Sequence, residues 1–120
     1  MAINSILTSV KKLLGLSEDD TSFDEDILLH INTAIGTLRQ LGVDPINDEF
    51  VVETKDDTFE DYLGEEKSKL FQSVRLYLYY KTRLGFDPPT SANLLESLKE
   101  SIKEIECRLT YQIDAMNKEA

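Results

Sequence analysis

His30 is the only histidine of the 120-residue chain, and it stands among helically spaced apolar residues with no nucleophile and no HExxH spacing to serve. A surface or partly packed imidazole is the expectation. Carboxylates are the next candidates for chemistry. Asp19, Asp20, Asp24, Glu25 and Asp26 crowd one stretch, but without the alternating Asp/Asn order, the glycine and the terminal glutamate of a calcium loop. Asp24, Glu25 and Asp26 instead suit the first turn of a helix, where negative charge complements the macrodipole. Ten further carboxylates between Asp44 and Glu66 read as a solvated, self-repelling loop and not as a pair tuned for acid and base work. Cys107 has no second cysteine to bridge to and no metal-ligand spacing around it, so a small apolar residue near a packed face is expected. There is no Walker loop and no GxGxxG. The sequence therefore offers no catalytic, cofactor-binding or metal-binding residue, and a non-enzymatic protein without a cofactor is expected.

One mixed group remains. Tyr77, Tyr79 and Tyr80 interleave with Arg75, Lys81 and Arg83, a composition shared with nucleic-acid binders. On a helix, Tyr77 and Lys81 share one face while Tyr79 and Arg83 share another, so the six residues make no single stacking platform. Core plus protein interface is the better reading, because tyrosine and arginine are enriched where proteins meet. Charge agrees: 23 Asp and Glu against 13 Lys and Arg leave a net charge of -10. Such a surface repels phosphate backbones and anionic membranes.

The elements that must position these residues are helical. The chain fits one domain, residues 1–120, with a mostly aliphatic core, given 41% hydrophobic residues, 8% aromatic and no Trp. At the N-terminus Ile3, Ile6, Leu7, Val10, Leu13 and Leu14 predict a short amphipathic helix, with Lys11 and Lys12 late and Gly15 as the stop. Its lysines follow the apolar residues, unlike a signal peptide, and no apolar run is long enough for a membrane span. A soluble protein, intracellular when made, is expected, and the solitary cysteine fits a reducing compartment.

A second helix is predicted from about Phe23 to Leu41, opened by Ser22 and Glu25 at capping-box spacing and closed by Gly42. Ile27, Ile31, Ala34, Ile35, Leu38 and Leu41 form its stripe. Gly36 inside it costs about 1 kcal/mol relative to alanine, which implies close packing or a bend. From Val43 to Glu66 an acidic projecting loop is expected, with Phe50, Val51 and Val52 as a short β-prone run. Within it, Thr58 to Leu63 can make one helical turn, with Phe59, Tyr62 and Leu63 inward. The third helix is placed at about Glu65 to Leu84, with Leu70, Val74, Tyr77, Leu78 and Lys81 on one face, broken by Gly85-Phe86-Asp87-Pro88-Pro89. A fourth begins near Thr90 or Ser91 and carries Leu94, Leu98, Ile102, Ile105, Leu109, Ile113 and Met116. The fold expected is all-α, a small bundle of about four helices with a long C-terminal helical hairpin and an acidic projecting loop.

Two stretches, LLGLSEDDTSFDEDILLHINTAIGTLRQLGV (Leu13 to Val43) and VRLYLYYKTRLGFDPPTSANLLESLKESIKEIECRL (Val74 to Leu109), resemble the head-to-tail connector (adaptor) proteins of tailed phages and prophages, a group formerly described as DNA-packaging proteins. The matching features are the acidic entry followed by I-x-x-x-I-x-x-A, the LRQLG close, and the K-x-R-L-G-F-D-P-P turn before an amphipathic helix. The resemblance implies a virion protein at the head-tail junction, made in the host cytoplasm. It would form a homo-oligomeric ring under the portal protein, extend the DNA channel and offer a platform for the next connector, stopper or tail protein. DNA would pass through without specific binding. It also implies a loop toward the tail or lumen, here Asp44 to Asp57, and a C-terminal segment toward the portal, here Thr110 to Ala120, shorter than the portal-embracing tails of some members. Phe50, Val51, Val52, Tyr77, Tyr80, Arg83 and Phe86 are the residues expected at subunit and partner contacts. The alternative is an acidic DNA mimic that inhibits a nucleic-acid enzyme, which requires carboxylates at phosphate-like spacing on a structured face.

Overall fold

The computed structural model describes residues 5–119, with side chains through Lys118, so Ile3 and Ala120 of the predicted terminal segments lie outside the described residues. Helices α1 (Ile6–Leu13), α2 (Asp24–Leu41), α3 (Phe59–Leu63), α4 (Phe71–Phe86) and α5 (Ala92–Glu119) follow one another, with a 3-10 turn at Ser68–Leu70 before α4. The protein is all-helical among the described residues, and its only extended pairing is an isolated bridge between Ser5 and Thr58. Helix α4 is central, packed against α1, α2 and α5.

Helix α1 starts where the Ser5 hydroxyl accepts the Thr8 amide at 3.2 Å. Lys11 does not stay at the surface to meet the helix dipole. Its side chain is buried, and its ammonium donates to the carbonyls of Glu18 (3.1 Å) and Asp20 (2.7 Å) and pairs with Asp24 at 2.9 Å. Lys11, with a longer exposed contact from Lys12 to Glu18 at 3.9 Å, thus ties the acidic segment back onto α1. Ser22 does not cap α2 as its spacing suggests; its own amide donates to Asp20 Oδ1 at 3.0 Å, and the residue before the helix is Phe23, with no side-chain cap. The local Asp20 turn outcompetes the capping box.

The predicted core of α2 is buried, apart from Leu41, which is half-buried. Gly42 closes the helix with φ 106°, a left-handed conformation that glycine adopts without penalty, and its open α-carbon lies against Ile113 of α5. Gly36 neither packs closely nor has a neighbour in reach; it faces open space.

The acidic connection is fastened to the body at several points. Val43, Pro45 and Val52 are buried, Lys67 donates to the Asp44 carbonyl, and Arg39 donates to the Asp48 carbonyl at 2.7 Å. Phe50 to Val52 forms no strand. The helical turn predicted at Thr58 to Leu63 is α3, opened by a Thr58–Asp61 capping box and burying Phe59, Tyr62 and Leu63.

Helix α4 begins later than Glu65, because residues 65–70 are spent on a turn and the 3-10 segment. It also runs through Gly85 to Phe86 and does not break at the glycine. Its stop is Asp87, at φ -146° and ψ 68°, outside the helical region that the proline following it disfavours. Helix α5 has 28 residues, a length of about 42 Å at 1.5 Å per residue. That equals the longest dimension of the molecule, 42 Å. Leu98, Ile102, Ile105 and Leu109 are buried as predicted, whereas Leu94 is 61% exposed, because the first turn of α5 precedes its contact with the bundle.

Candidate subunit and partner interface

Three sides of α4 are occupied. Toward α5, Tyr77 donates its hydroxyl to Glu106 at 2.7 Å and Ser73 donates to Gln112 at 3.2 Å. Toward α1, Arg75 Nε donates to the buried Ser9 hydroxyl at 2.8 Å. Toward α2, Gly85 lies under the His30 ring and Phe86 meets Phe23 edge-on at 5.3 Å. The side left over carries Gln72, Leu76, Tyr79 and Arg83, which follow one another at helical steps of four, three and four. Tyr80 flanks this stripe, its ring 5.4 Å from that of Tyr79, and Arg83 donates to the Tyr79 hydroxyl at 3.4 Å.

Helix α4 is basic within an acidic chain, and of its three bases Arg83 lies on this stripe. Helix α4 contains Arg75, Lys81 and Arg83 and no carboxylate, in a chain with a net charge of -10. Arg75 and Leu76 also line a groove of about 150 Å³ with Leu13 of α1 and Arg108 of α5. No ion pair reaches Arg75, Arg83 or Arg108 among the described residues. A basic, half-exposed aromatic surface without internal ion pairs can bind an acidic segment that also brings apolar side chains.

The predicted contact residues divide in three. Tyr77 and Val52 are buried in the protomer, so their surfaces are spent on its own core. Burial, followed by the Glu106 hydrogen bond, pushes the Tyr77 phenol well above its ordinary range. Tyr80 and Arg83 remain half-exposed on or beside the open side of α4, whereas Phe86, also half-exposed, lies on the α2 side against Phe23. Phe50 and Val51 belong to the acidic loop: Phe50 stacks on Tyr62 at 5.2 Å, while Val51 is 49% exposed. Val52 holds that loop in place, exchanging two 2.9 Å hydrogen bonds with the Asn32 side chain. The loop is therefore ordered around an outward-facing Val51, with Ile46 also exposed beside it in sequence.

Leu76, Tyr79 and Arg108 were not singled out by sequence as contact residues. The missing signal was available in part, since α4 carries bases and no acid over 16 residues. The contribution of Arg108 depends on how α5 lies beside α4 and has no local signature. His30 is half-buried over Gly85, and no group of three potential metal ligands occurs among the described residues. No described helix is long and apolar enough to cross a membrane.

A family model described as phage connector protein matches residues 6–116. Comparison with curated proteins and with solved structures gave no match.

Proposed function

Because the chain belongs to the phage connector protein family, whose model spans all five helices except the last turn of α5, we propose that it is a structural subunit of the phage head-tail junction. In this reading, residues 1–120 act as one unit that assembles into a ring beneath the portal protein. The ring lengthens the DNA channel and presents a platform to the next connector, stopper or tail protein. The protein acts by binding and geometry, with no reaction and no cofactor. Assembly takes place in the host cytoplasm and the product resides in the virion.

The observation that carries this reading is the family match over residues 6–116, and the unpartnered side of α4 supports it. A closed ring of identical chains needs two different complementary patches on each protomer. The stripe around Tyr79, Tyr80 and Arg83 and the loop around Phe50 and Val51 are two such patches on different elements. Excess carboxylates facing the lumen would keep DNA from adhering during passage. A ring whose lumen is lined chiefly by Lys and Arg would refute that last point.

Mass measurement in solution, with and without the portal protein, tests the role. A discrete ring or a portal complex is the expected result. A chain that stays monomeric with the portal and instead inhibits a nuclease would replace the connector with the DNA mimic.

A further inference from the structure

We propose that the open stripe of α4 in one copy receives the acidic loop from Ile46 to Asp56 of a second copy. The inference rests on the connector reading and names the two surfaces that join its subunits.

On the receiving side, Leu76, Tyr79 and Tyr80 give a half-exposed apolar surface, with Arg83 at one end and Arg75 and Arg108 at the groove. Arg75 and Arg83 are already oriented, by Ser9 and by the Tyr79 hydroxyl, and each guanidinium keeps further N–H groups for an incoming carboxylate. On the entering side, Asp48, Glu49, Glu53 and Asp56 stand exposed with Lys55 as the only base. Ile46 and Val51 are 60% and 49% exposed on the same loop. Acid faces base and exposed apolar groups face one another, and no ion pair among the described residues engages these charged side chains within the protomer.

The loop and the stripe belong to different elements of the protomer. The loop is fastened to α2 through Asn32 and Arg39, and α2 packs on a side of α4 other than the stripe, at Gly85 and Phe86. With its end also held at α1, where the Ile6 amide donates to the Asp57 carbonyl at 3.0 Å, the loop cannot fold onto its own stripe without giving up these anchors. It can reach the stripe of a neighbour, and the contact then repeats from copy to copy. The loop is held in shape by Asp57, which accepts the Glu53 and Thr54 amides at 2.8 and 3.1 Å, and by Asn47, which accepts the Glu49 amide at 3.1 Å. A preformed loop loses less freedom on docking than a disordered one.

Charge reversal on the full-length chain tests the pairing. Arg83→Glu with Arg108→Glu reverses the stripe, Asp48→Lys with Glu49→Lys reverses the loop, and the four changes together reverse both. Self-association is measured by sedimentation and native mass spectrometry, with the portal protein added in a parallel series, and far-UV circular dichroism confirms helicity. Each reversal alone is expected to weaken association at least about tenfold, and the fourfold variant to restore it. A single reversal that leaves association intact, or a fourfold variant that fails to recover it, overturns the pairing while the connector reading stands. Copies that never associate, alone or on the portal protein, overturn both.

Discussion

At the scale of single residues, two helical glycines carry opposite predictions. Gly36 faces open space, so Gly36→Ala removes backbone freedom from the unfolded chain and adds no clash. Urea denaturation is expected to show a gain of about 0.5–1 kcal/mol. Gly85 lies where a β-carbon would overlap the His30 ring, so Gly85→Ala forces that ring or α4 to move and is expected to cost about 1 kcal/mol or more. In a His30→Ala background the same change should turn neutral or stabilising. Additive effects in that cycle would mean that His30 is not what excludes the side chain. The tyrosines divide likewise. Burial raises the phenol pKa of Tyr77 and of Tyr62, so the folded state holds those protons after the unfolded chain has lost its own. Their contribution is complete below the ordinary tyrosine pKa of about 10 and is lost as pH rises above it. Denaturant midpoints should therefore fall above about pH 10, less steeply in Tyr77→Phe. At neutral pH, Tyr77→Phe forfeits the bond to Glu106 and should cost about 1 kcal/mol. Tyr62→Phe should be near neutral, because the Tyr62 hydroxyl has no hydrogen-bond partner among the described residues.

Individual elements show which sequence signals decide structure. Apolar spacing placed α2 within one residue at its start and placed the buried stripe of α5 from Leu98 onward, because periodic burial is a local property repeated over many turns. Boundaries were less legible where one residue has two possible partners. Ser22 has capping-box spacing yet gives its amide to Asp20, and Gly85 looks like a stop yet serves a helix crossing. Lys11 gave no warning at all, since a lysine late in a short helix ordinarily meets solvent and the helix dipole. The candidate interface was half legible for a related reason: Tyr80 and Arg83 could be named from composition, but whether Tyr77 faces outward depends on where α5 lies. Lys11 fixes the α1–α2 connection through Asp24 and two carbonyls, so Lys11→Met should leave all three without their cation. A loss of about 2–4 kcal/mol is expected from the urea midpoint, with an unchanged m-value. A smaller loss would mean that water substitutes readily for the ammonium at the acidic turn.

For the whole molecule, the distribution of charge matters as much as its total. Each copy carries -10, so two copies repel at distances where only net charge is felt. At contact, by contrast, the basic stripe of α4 and the acidic loop attract. The Debye length of about 10 Å at 0.1 M salt separates these regimes. Reversing the loop to lysine moves the net charge toward zero, yet the contact model expects weaker association, so that variant distinguishes local pairing from bulk repulsion. Salt gives a second handle in the native chain. Screening lowers the long-range barrier, so the association rate measured by stopped-flow light scattering should rise between about 0.02 and 0.15 M salt, opposite to the usual trend for oppositely charged partners. The dissociation rate should rise as well, because the Arg83 and Arg108 pairs are screened once exposed to the same ions. An association rate that falls with salt would show that the uneven charge on the protomer steers copies together from a distance, and that the total of -10 does not govern assembly.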